Sequence, residues 1–388
     1  MSFYQRLINK YIYTGLNKQY SLKSYFHFLV LTKEDSTAKV MLKENINQLL
    51  KGCTNSIIFE QFEKLLEERT TKYQYGDFVT FKKEKQDFRT SQSNKKPRYI
   101  DRANNYLSNF YLENAFKYYE KDTLVNHNSH NSEFALIYLL RENYFMAYQF
   151  ASKIDNIEIM FLSAVCLSNF SLADQFLNRI VDLLSSTQPI FQLISRYELF
   201  QLCCYITLAT KSAFEISSFY EKISGKLDIT IDLLNNLINA MKERNYEFIL
   251  QMFDSIRETL TYSIYTSQNS SSFLDAIKGN IIANLVEPFS RLPFQVIYEQ
   301  TFSTREEVIS RLIQQISEGK INGKLDLIND QYIGLGNLSD ETEMKEILYH
   351  TMAVKDKLNR VCFQNDFNLL HSSKQRSKSN RPQKSDEN

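Results

Sequence analysis

The segment around which this chain is organised is residues 273–335, with the sequence FLDAIKGNIIANLVEPFSRLPFQVIYEQTFSTREEVISRLIQQISEGKINGKLDLINDQYIGL. It begins with an apolar helical pattern. That pattern is interrupted where Leu292 precedes Pro293, because a residue before proline is pushed out of the α region. Proline suits the first turn of a helix, so a helix is expected over residues 294–300.

A second helix follows with its own start and stop signals. Thr304 can cap its N-terminus, and Glu307, three residues further on, completes a capping box. Gly319 then suits the left-handed position that ends a helix. Between these signals one apolar stripe recurs at helical spacing, formed by Val308, Ile309, Leu312, Ile313 and Ile316.

A β-hairpin is predicted after this helix. Apolar Ile321 and Leu325 alternate with polar residues such as Lys324, and a period of two is typical of a strand with one buried face. Asn329-Asp330 is a turn signal, and residues 332–333 form the return strand. Two helices followed by a hairpin are typical of a winged helix, which we expect over residues 291–336.

Composition limits what the rest of the chain can be. A length of 388 residues exceeds the usual single core, so two or more packed units are expected. Lys and Arg number 46 against 45 Asp and Glu, so no charge excess points to nucleic acid or a membrane surface. Nine glycines and five prolines are few, which favours helix almost throughout. The sequence contains no run of about 18 apolar residues, so no membrane span is predicted.

The fold class is therefore mainly α, with several successive regions. Residues 1–98 read as divergent N-terminal helices and a polar linker, and residues 99–290 as helical repeats. Small residues such as Ala103 and Ala115 mark close helix crossings, as in a degenerate tetratricopeptide-like (TPR-like) solenoid. A C-terminal helix is predicted within residues 337–371, and residues 372–388 read as a disordered tail.

The chain carries no recognisable catalytic pattern. The phosphate-binding, dinucleotide-binding, nucleophile-elbow and zinc-protease motifs are all missing from the sequence. His127 and His130 lie close together, but in a polar stretch that reads as a loop rather than a metal site. The five cysteines are scattered and are interpreted as reduced, buried thiols. We therefore expect no enzyme activity, no cofactor and no metal.

The winged helix has two interpretations. Its second helix offers Arg305 and Arg311 but also three glutamates, whereas a helix that reads DNA should be net basic. The other interpretation is protein assembly, in which the hairpin adds to a neighbouring sheet edge. We favour assembly, with Ile321, Lys324 and Leu325 as the predicted interface residues of the hairpin.

These residues carry a family resemblance. Residues 306–333, EEVISRLIQQISEGKINGKLDLINDQYI, resemble the motif of the PCI domain found in the proteasome lid, the COP-nine signalosome and translation initiation factor three. Upstream, residues 111–121, 142–155 and 241–260 are similar to the solenoid of the signalosome subunit-one branch and its lid paralogue, regulatory subunit seven. The resemblance covers roughly residues 100–336, and residues 1–98 match poorly.

The resemblance implies a non-catalytic scaffold of the cytoplasm and nucleus. Its partners would be other PCI subunits and a metalloprotease-type subunit of a complex that deneddylates cullins, with cullin ligases contacted indirectly. The C-terminal helix would join a helical bundle through Ile347, Leu348, Val354, Leu358 and Val361. A proteasome-lid or initiation-factor-three subunit is the first alternative. A nucleic-acid-binding PCI adaptor is an alternative of another class.

Overall fold

The computed structural model describes residues 8–12, 17–32, 35–51, 53, 55, 58, 60, 98–127, 129–184, 191–227 and 231–335. These residues are mainly helical. The helices are α1 (Lys18–Leu31), α2 (Ser36–Leu50), α3 (Tyr99–Ser108), α4 (Leu112–Asn126), α5 (Asn131–Leu140), α6 (Tyr144–Ser152), α7 (Ile157–Cys166), α8 (Phe170–Leu183), α9 (Arg196–Thr210), α10 (Ala213–Leu227), α11 (Asp232–Lys242), α12 (Tyr246–Gln251), α13 (Phe253–Thr261), α14 (Ser270–Val286), α15 (Phe294–Thr301) and α16 (Arg305–Ser317). The strands are β1 (Arg291–Pro293), β2 (Gly323–Asp326) and β3 (Gln331–Gly334).

Helices α3 to α10 form the predicted solenoid, in which each helix packs on the next. The small residues sit where the sequence places the close crossings. Ala103 of α3 and Ala115 of α4 are fully buried in one cluster, and Ala147 and Ala173 are fully buried in the larger core. A small side chain lets two helix backbones approach closely, so the positions of these alanines in the sequence predict where the helices cross.

The turns of the solenoid repeat a feature that sequence reasoning missed. Asn143, Asn156 and Asn169 each cap a helix, and each follows a residue with positive φ. The amide of Asn156 donates to the carbonyl of Ala151, which closes the preceding helix in a Schellman-type turn. Glycine usually occupies the left-handed position, and other residues there cost roughly 1–2 kcal/mol. The chain has only nine glycines, and none stands at these three turns. Each turn instead places a non-glycine residue in the left-handed position and follows it with an asparagine that caps the next helix.

Helix α14 joins the solenoid to the winged helix. Its first half, including Phe273 and Ile277, lies in the solenoid core. Its second half, including Ile282 and Val286, lies in the core of the winged helix together with Phe294. Because one helix serves both cores, the two units are held together along its length.

The winged helix forms with three departures from the prediction. The link before α15 contains a strand, β1, which pairs antiparallel with β3 and gives the sheet order β1-β3-β2. The capping box is half formed: the Thr304 side chain accepts from the Glu307 amide, but the Glu307 carboxylate bonds to Arg311 instead. Ile313 is 54% exposed, so it lies outside the buried stripe.

Helices α1 and α2 pack together and lie against the solenoid. The predicted linker falls mostly in residues 61–97, and the predicted C-terminal helix and tail fall in residues 336–388. Both lie outside the described residues. Among the described helices, none combines the length and the apolar character needed to cross a membrane.

Candidate interaction surface

The hairpin is built around one close contact between Gly323 and Tyr332, which are buried next to each other. A Cβ placed on Gly323 would lie 2.5 Å from Cζ of Tyr332, so only glycine fits. The Tyr332 hydroxyl donates to the carbonyl of Asn322 at 3.1 Å, and the Leu335 amide donates to the same carbonyl at 3.0 Å. These contacts fix where β2 runs and therefore where its outer edge points.

The outer edge of β2 is open among the residues that the structure describes. The strand order places β2 at one end of the sheet, where it pairs only with β3. An edge strand presents unpaired backbone groups, which another chain can use. The geometry at this edge is therefore suitable for adding a strand from a neighbour.

The three interface residues predicted on the hairpin differ in position. Lys324 is exposed on the edge strand, and Leu325 is half-buried against the core. Ile321 is only 6% exposed and packs inside the winged helix, so its side chain stabilises the domain and offers almost no surface. The interface itself stays a prediction.

The tip of the hairpin presents two exposed apolar side chains that were not among the interface residues predicted from the sequence. Leu327 is 56% exposed and Ile328 is 95% exposed. Asp326 orders this turn, because its carboxylate accepts hydrogen bonds from the Asn329 side chain and from the amides of Ile328 and Asn329. These bonds, led by the Asn329 side chain, lower the pKa of Asp326 to about 2. The only signal in the sequence was two adjacent aliphatic residues inside a turn.

Arg305 and Arg311 of α16 are both engaged inside the domain. Arg305 pairs with Asp330 of the hairpin turn at 2.5 Å. Arg311 pairs with Glu307 at 3.1 Å and with Asp275 of α14 at 2.8 Å. Arg311 is mostly buried by these contacts, whereas Arg305 stays 44% exposed, and both are balanced by carboxylates. The arrangement therefore favours protein contact over DNA reading.

Glu307 is the centre of this ion-pair network. Lys278 of α14 and Arg311 of α16 lie 3.0 and 3.1 Å from the same carboxylate oxygen, Oε1. Burial acts to raise the pKa of Glu307, but the hydrogen bonds and charges of Lys278 and Arg311 lower it below its usual value. The carboxylate is therefore held ionised, and it clamps α16 against α14.

Two buried asparagines of α14 bind the solenoid at the turn between α9 and α10. Asn280 donates to the carbonyls of Leu208 and Lys211 at 2.8 and 2.7 Å. Asn284 accepts from the amide of Ala213 at 3.0 Å. These bonds satisfy the end of α9 and the start of α10, so they tie α14, whose second half lies in the winged-helix core, to the turn between α9 and α10.

The two histidines that lie close together in the sequence occupy different structural settings. His130 is buried and its Nε2 lies 2.8 Å from Asp122, which makes it a structural pair rather than a free loop residue. His127 ends α4 in the left-handed conformation. Within the described residues, no three His, Cys, Asp or Glu side chains are arranged to hold a metal ion.

The described cysteines, Cys53, Cys166, Cys203 and Cys204, are free thiols. Burial raises the pKa of Cys203 and of Cys204 well above the usual range. Both thiols therefore stay protonated at neutral pH and are poor nucleophiles. The predicted interface residues of the last helix, Ile347, Leu348, Val354, Leu358 and Val361, lie outside the described residues.

Comparison with known protein families places a PCI domain at residues 256–331 of this chain. The match begins within α13 and ends at the first residue of β3. It therefore covers α14, the connection to the winged helix and most of the winged helix itself. A search of curated proteins found no match to this chain.

Proposed function

We propose that this chain is a non-catalytic scaffold subunit of a COP-nine signalosome-type complex, which deneddylates cullins. The observation that carries the proposal is the position of the PCI domain on a winged helix whose edge strand β2 is open. PCI domains occur in subunits of the signalosome, the proteasome lid and initiation factor three. The choice of the signalosome among them rests on the resemblance of residues 111–121, 142–155 and 241–260.

The proposed contact is an edge-to-edge pairing of winged helices. Lys324 and the backbone of β2 would meet the sheet of a neighbouring PCI subunit, and Leu327 and Ile328 would cover apolar surface beside it. The last helix would add a bundle contact through the five apolar residues named above. The zinc chemistry would belong to a metalloprotease-type partner, since this chain lacks the His-x-His pattern that such chemistry needs.

Affinity purification of the full-length chain tests the complex. Recovery of a metalloprotease-type signalosome subunit and other PCI subunits in stoichiometric amounts supports the proposal. Recovery of proteasome base ATPases, or of initiation factor three, would select one of the alternatives. Removal of residues 336–388 is expected to abolish incorporation, and unchanged co-purification would contradict the role assigned to the last helix.

A surface variant tests the contact itself. Lys324→Glu combined with Leu327→Asp changes exposed side chains only, so the fold should be kept while the partner is lost. Leu124→Asp is the matched control, because Leu124 is 72% exposed on α4, a solenoid helix that packs on α3 and α5. Equal recovery of partners by both variants would exclude the hairpin edge as the interface.

The alternative of another class, a nucleic-acid adaptor, predicts tight and salt-sensitive RNA or DNA binding. A gel-shift with the full chain at low and moderate salt distinguishes it from a scaffold. The internal pairing of Arg305 and Arg311 leads us to expect no such binding.

A further inference from the structure

Residues 192–195, here called the joint segment, lead into α9, and their four backbone amides are bound by two buried side chains. Glu158, in the first turn of α7, accepts hydrogen bonds from the first three amides, of which the first two lie at 3.1 and 2.6 Å. Glu198, in the first turn of α9, accepts from the fourth amide. Four consecutive backbone donors therefore find their acceptors on side chains of two different helices.

Two carbonyl groups of the joint segment are bound by other parts of the chain. The amide of Asn17, the residue that caps α1, donates to the carbonyl of Gln192 at 2.6 Å. The hydroxyl of Tyr265, in the turn between α13 and α14, donates to the carbonyl of Leu193. The joint segment is therefore the place where α7, α9, the start of α1 and the turn before α14 meet, and its position depends on the two carboxyl groups.

Both carboxyl groups lie in the interior without a cation. Glu158 is 8% exposed and Glu198 is 5% exposed, and neither forms an ion pair with a lysine, arginine or histidine of the described residues. Burial raises the pKa of every other titratable group that faces them, so all of these groups are neutral at neutral pH. The groups are Tyr20 and Tyr265 beside Glu158, and Tyr11, Cys166 and Tyr265 beside Glu198. A carboxylate that ionises among neutral, buried groups is costly.

The two carboxyl groups differ in the number of donors that stabilise their charge. Burial raises the pKa of Glu158 to about 7, although hydrogen bonds from three backbone amides act to lower it. Burial raises the pKa of Glu198 to about 8, where only the Ser263 hydroxyl and one amide act in the opposite direction. Hydrogen bonds to a carboxylate favour its ionised form, so the group with more donors ionises first as the pH rises. Negative charge therefore enters this region in two steps.

We propose that Glu158 and Glu198 form a proton-sensitive clasp, which holds the joint segment while both carboxyl groups are protonated and loosens it when they lose their protons. Opening of the segment lets water reach the carboxylates, so ionisation favours the open form. The pKa of each group is higher in the folded chain than the usual value of about 4.3. Its stabilising contribution is therefore fully present below that value and is lost as the pH rises through about 7 for Glu158 and about 8 for Glu198. The clasp lies inside the solenoid, so the proposal does not depend on the scaffold assignment.

Infrared spectroscopy of the full-length chain tests whether the two carboxyl groups hold protons. A protonated carboxylic acid absorbs separately from a carboxylate, and exposed carboxyl groups are almost fully ionised at about pH 6. We expect a band of protonated acid at that pH, lost by about pH 9 and weaker in Glu158→Gln and in Glu198→Gln. Glu113→Gln is the matched control and should leave the band unchanged, because the Glu113 side chain is 72% exposed. A missing band, or a band that neither variant weakens, would overturn the proposal.

Hydrogen exchange of peptides covering residues 191–200 tests whether the segment loosens. Rates are corrected for the intrinsic pH dependence of exchange and compared at about pH 5.5 and about pH 7.5. Each carboxyl group that ionises only on opening lowers protection by about tenfold per pH unit, so protection should fall by more than about tenfold. The double variant of Glu158→Gln with Glu198→Gln should change by less than about twofold over the same range. An equal fall in the double variant would overturn the proposal. A change below about twofold in the unaltered chain would also overturn it, whether or not the variants fold.

Discussion

Replacing Gly323 by alanine tests how tightly the winged helix is packed. The added Cβ would lie 2.5 Å from Cζ of Tyr332, far inside van der Waals contact. Tyr332 is 2% exposed and is surrounded by Leu292, Phe294 and other core residues, so its ring has little room to move away. Either the ring or strand β2 must shift.

The size of the effect follows from two losses. Overpacking a well-packed core costs about 1–3 kcal/mol. Displacing the Tyr332 ring also breaks its bond to the carbonyl of Asn322, which is worth about 1 kcal/mol. The local free energy of opening should fall by about 2–4 kcal/mol, which corresponds to roughly 30- to 1,000-fold less hydrogen-exchange protection. Mass spectrometry of peptides covering residues 321–335 measures this directly.

The chain offers a matched control at Gly225 in α10. A Cβ at this position meets nothing within 4 Å, so Gly225→Ala should stabilise the helix by about 0.5–1 kcal/mol and leave the hairpin unchanged. If Gly323→Ala leaves protection of residues 321–335 within twofold of the unaltered protein, the packing argument is wrong.

Three further predictions concern a buried carboxyl, a buried asparagine and a half-buried ion pair. Burial raises the pKa of Glu198 to about 8, although a hydrogen bond from Ser263 acts to lower it. The contribution of this group to the free energy of unfolding should therefore be fully present near pH 4 and be lost as the pH rises through 8. Urea unfolding of Glu198→Gln should show a flatter dependence of stability on pH, and an unchanged slope would count against this reasoning. Asn280→Leu removes the side-chain donor to the Leu208 carbonyl and leaves the Lys211 carbonyl with only the longer side-chain bond from Asn284 (3.4 Å), so it should cost about 1–3 kcal/mol in urea unfolding. A loss below about 0.5 kcal/mol would refute the bridging role. Arg311→Ala should increase hydrogen exchange in α16 at low salt and much less in 1 M NaCl; equal effects at both salts would argue against an electrostatic clamp.

Local signals in the sequence were sufficient for the helices and the hairpin of the winged helix. Pro293 precedes α15, Thr304 caps α16, and Gly319 ends it with a φ of 70°. Each signal acts through the backbone of its own few residues. The tertiary structure keeps all three signals in place, so these boundaries could be read from the chain alone.

The strand β1 and the position of Ile313 required the tertiary structure. Residues 291–293 are extended because Leu292 lies opposite Tyr332 in the sheet, a pairing across about forty residues. Ile313 has the spacing of a buried residue, but α14 and β2 cover only part of α16. The half-formed capping box has partly the same origin, since the Glu307 carboxylate bonds to Lys278 of α14 as well as to Arg311 of its own helix.

The sequence by itself determined a helical solenoid leading into a winged helix, because periodicity and turn chemistry act over short distances along the chain. Only the tertiary structure decided that the described residues between 8 and 58 pack on the solenoid and that the arginines of α16 pair with carboxylates of the same domain. Both depend on contacts such as Tyr11 with Gln201, which are 190 residues apart. Bringing such positions together is a property of the packed core, and no local pattern encodes it.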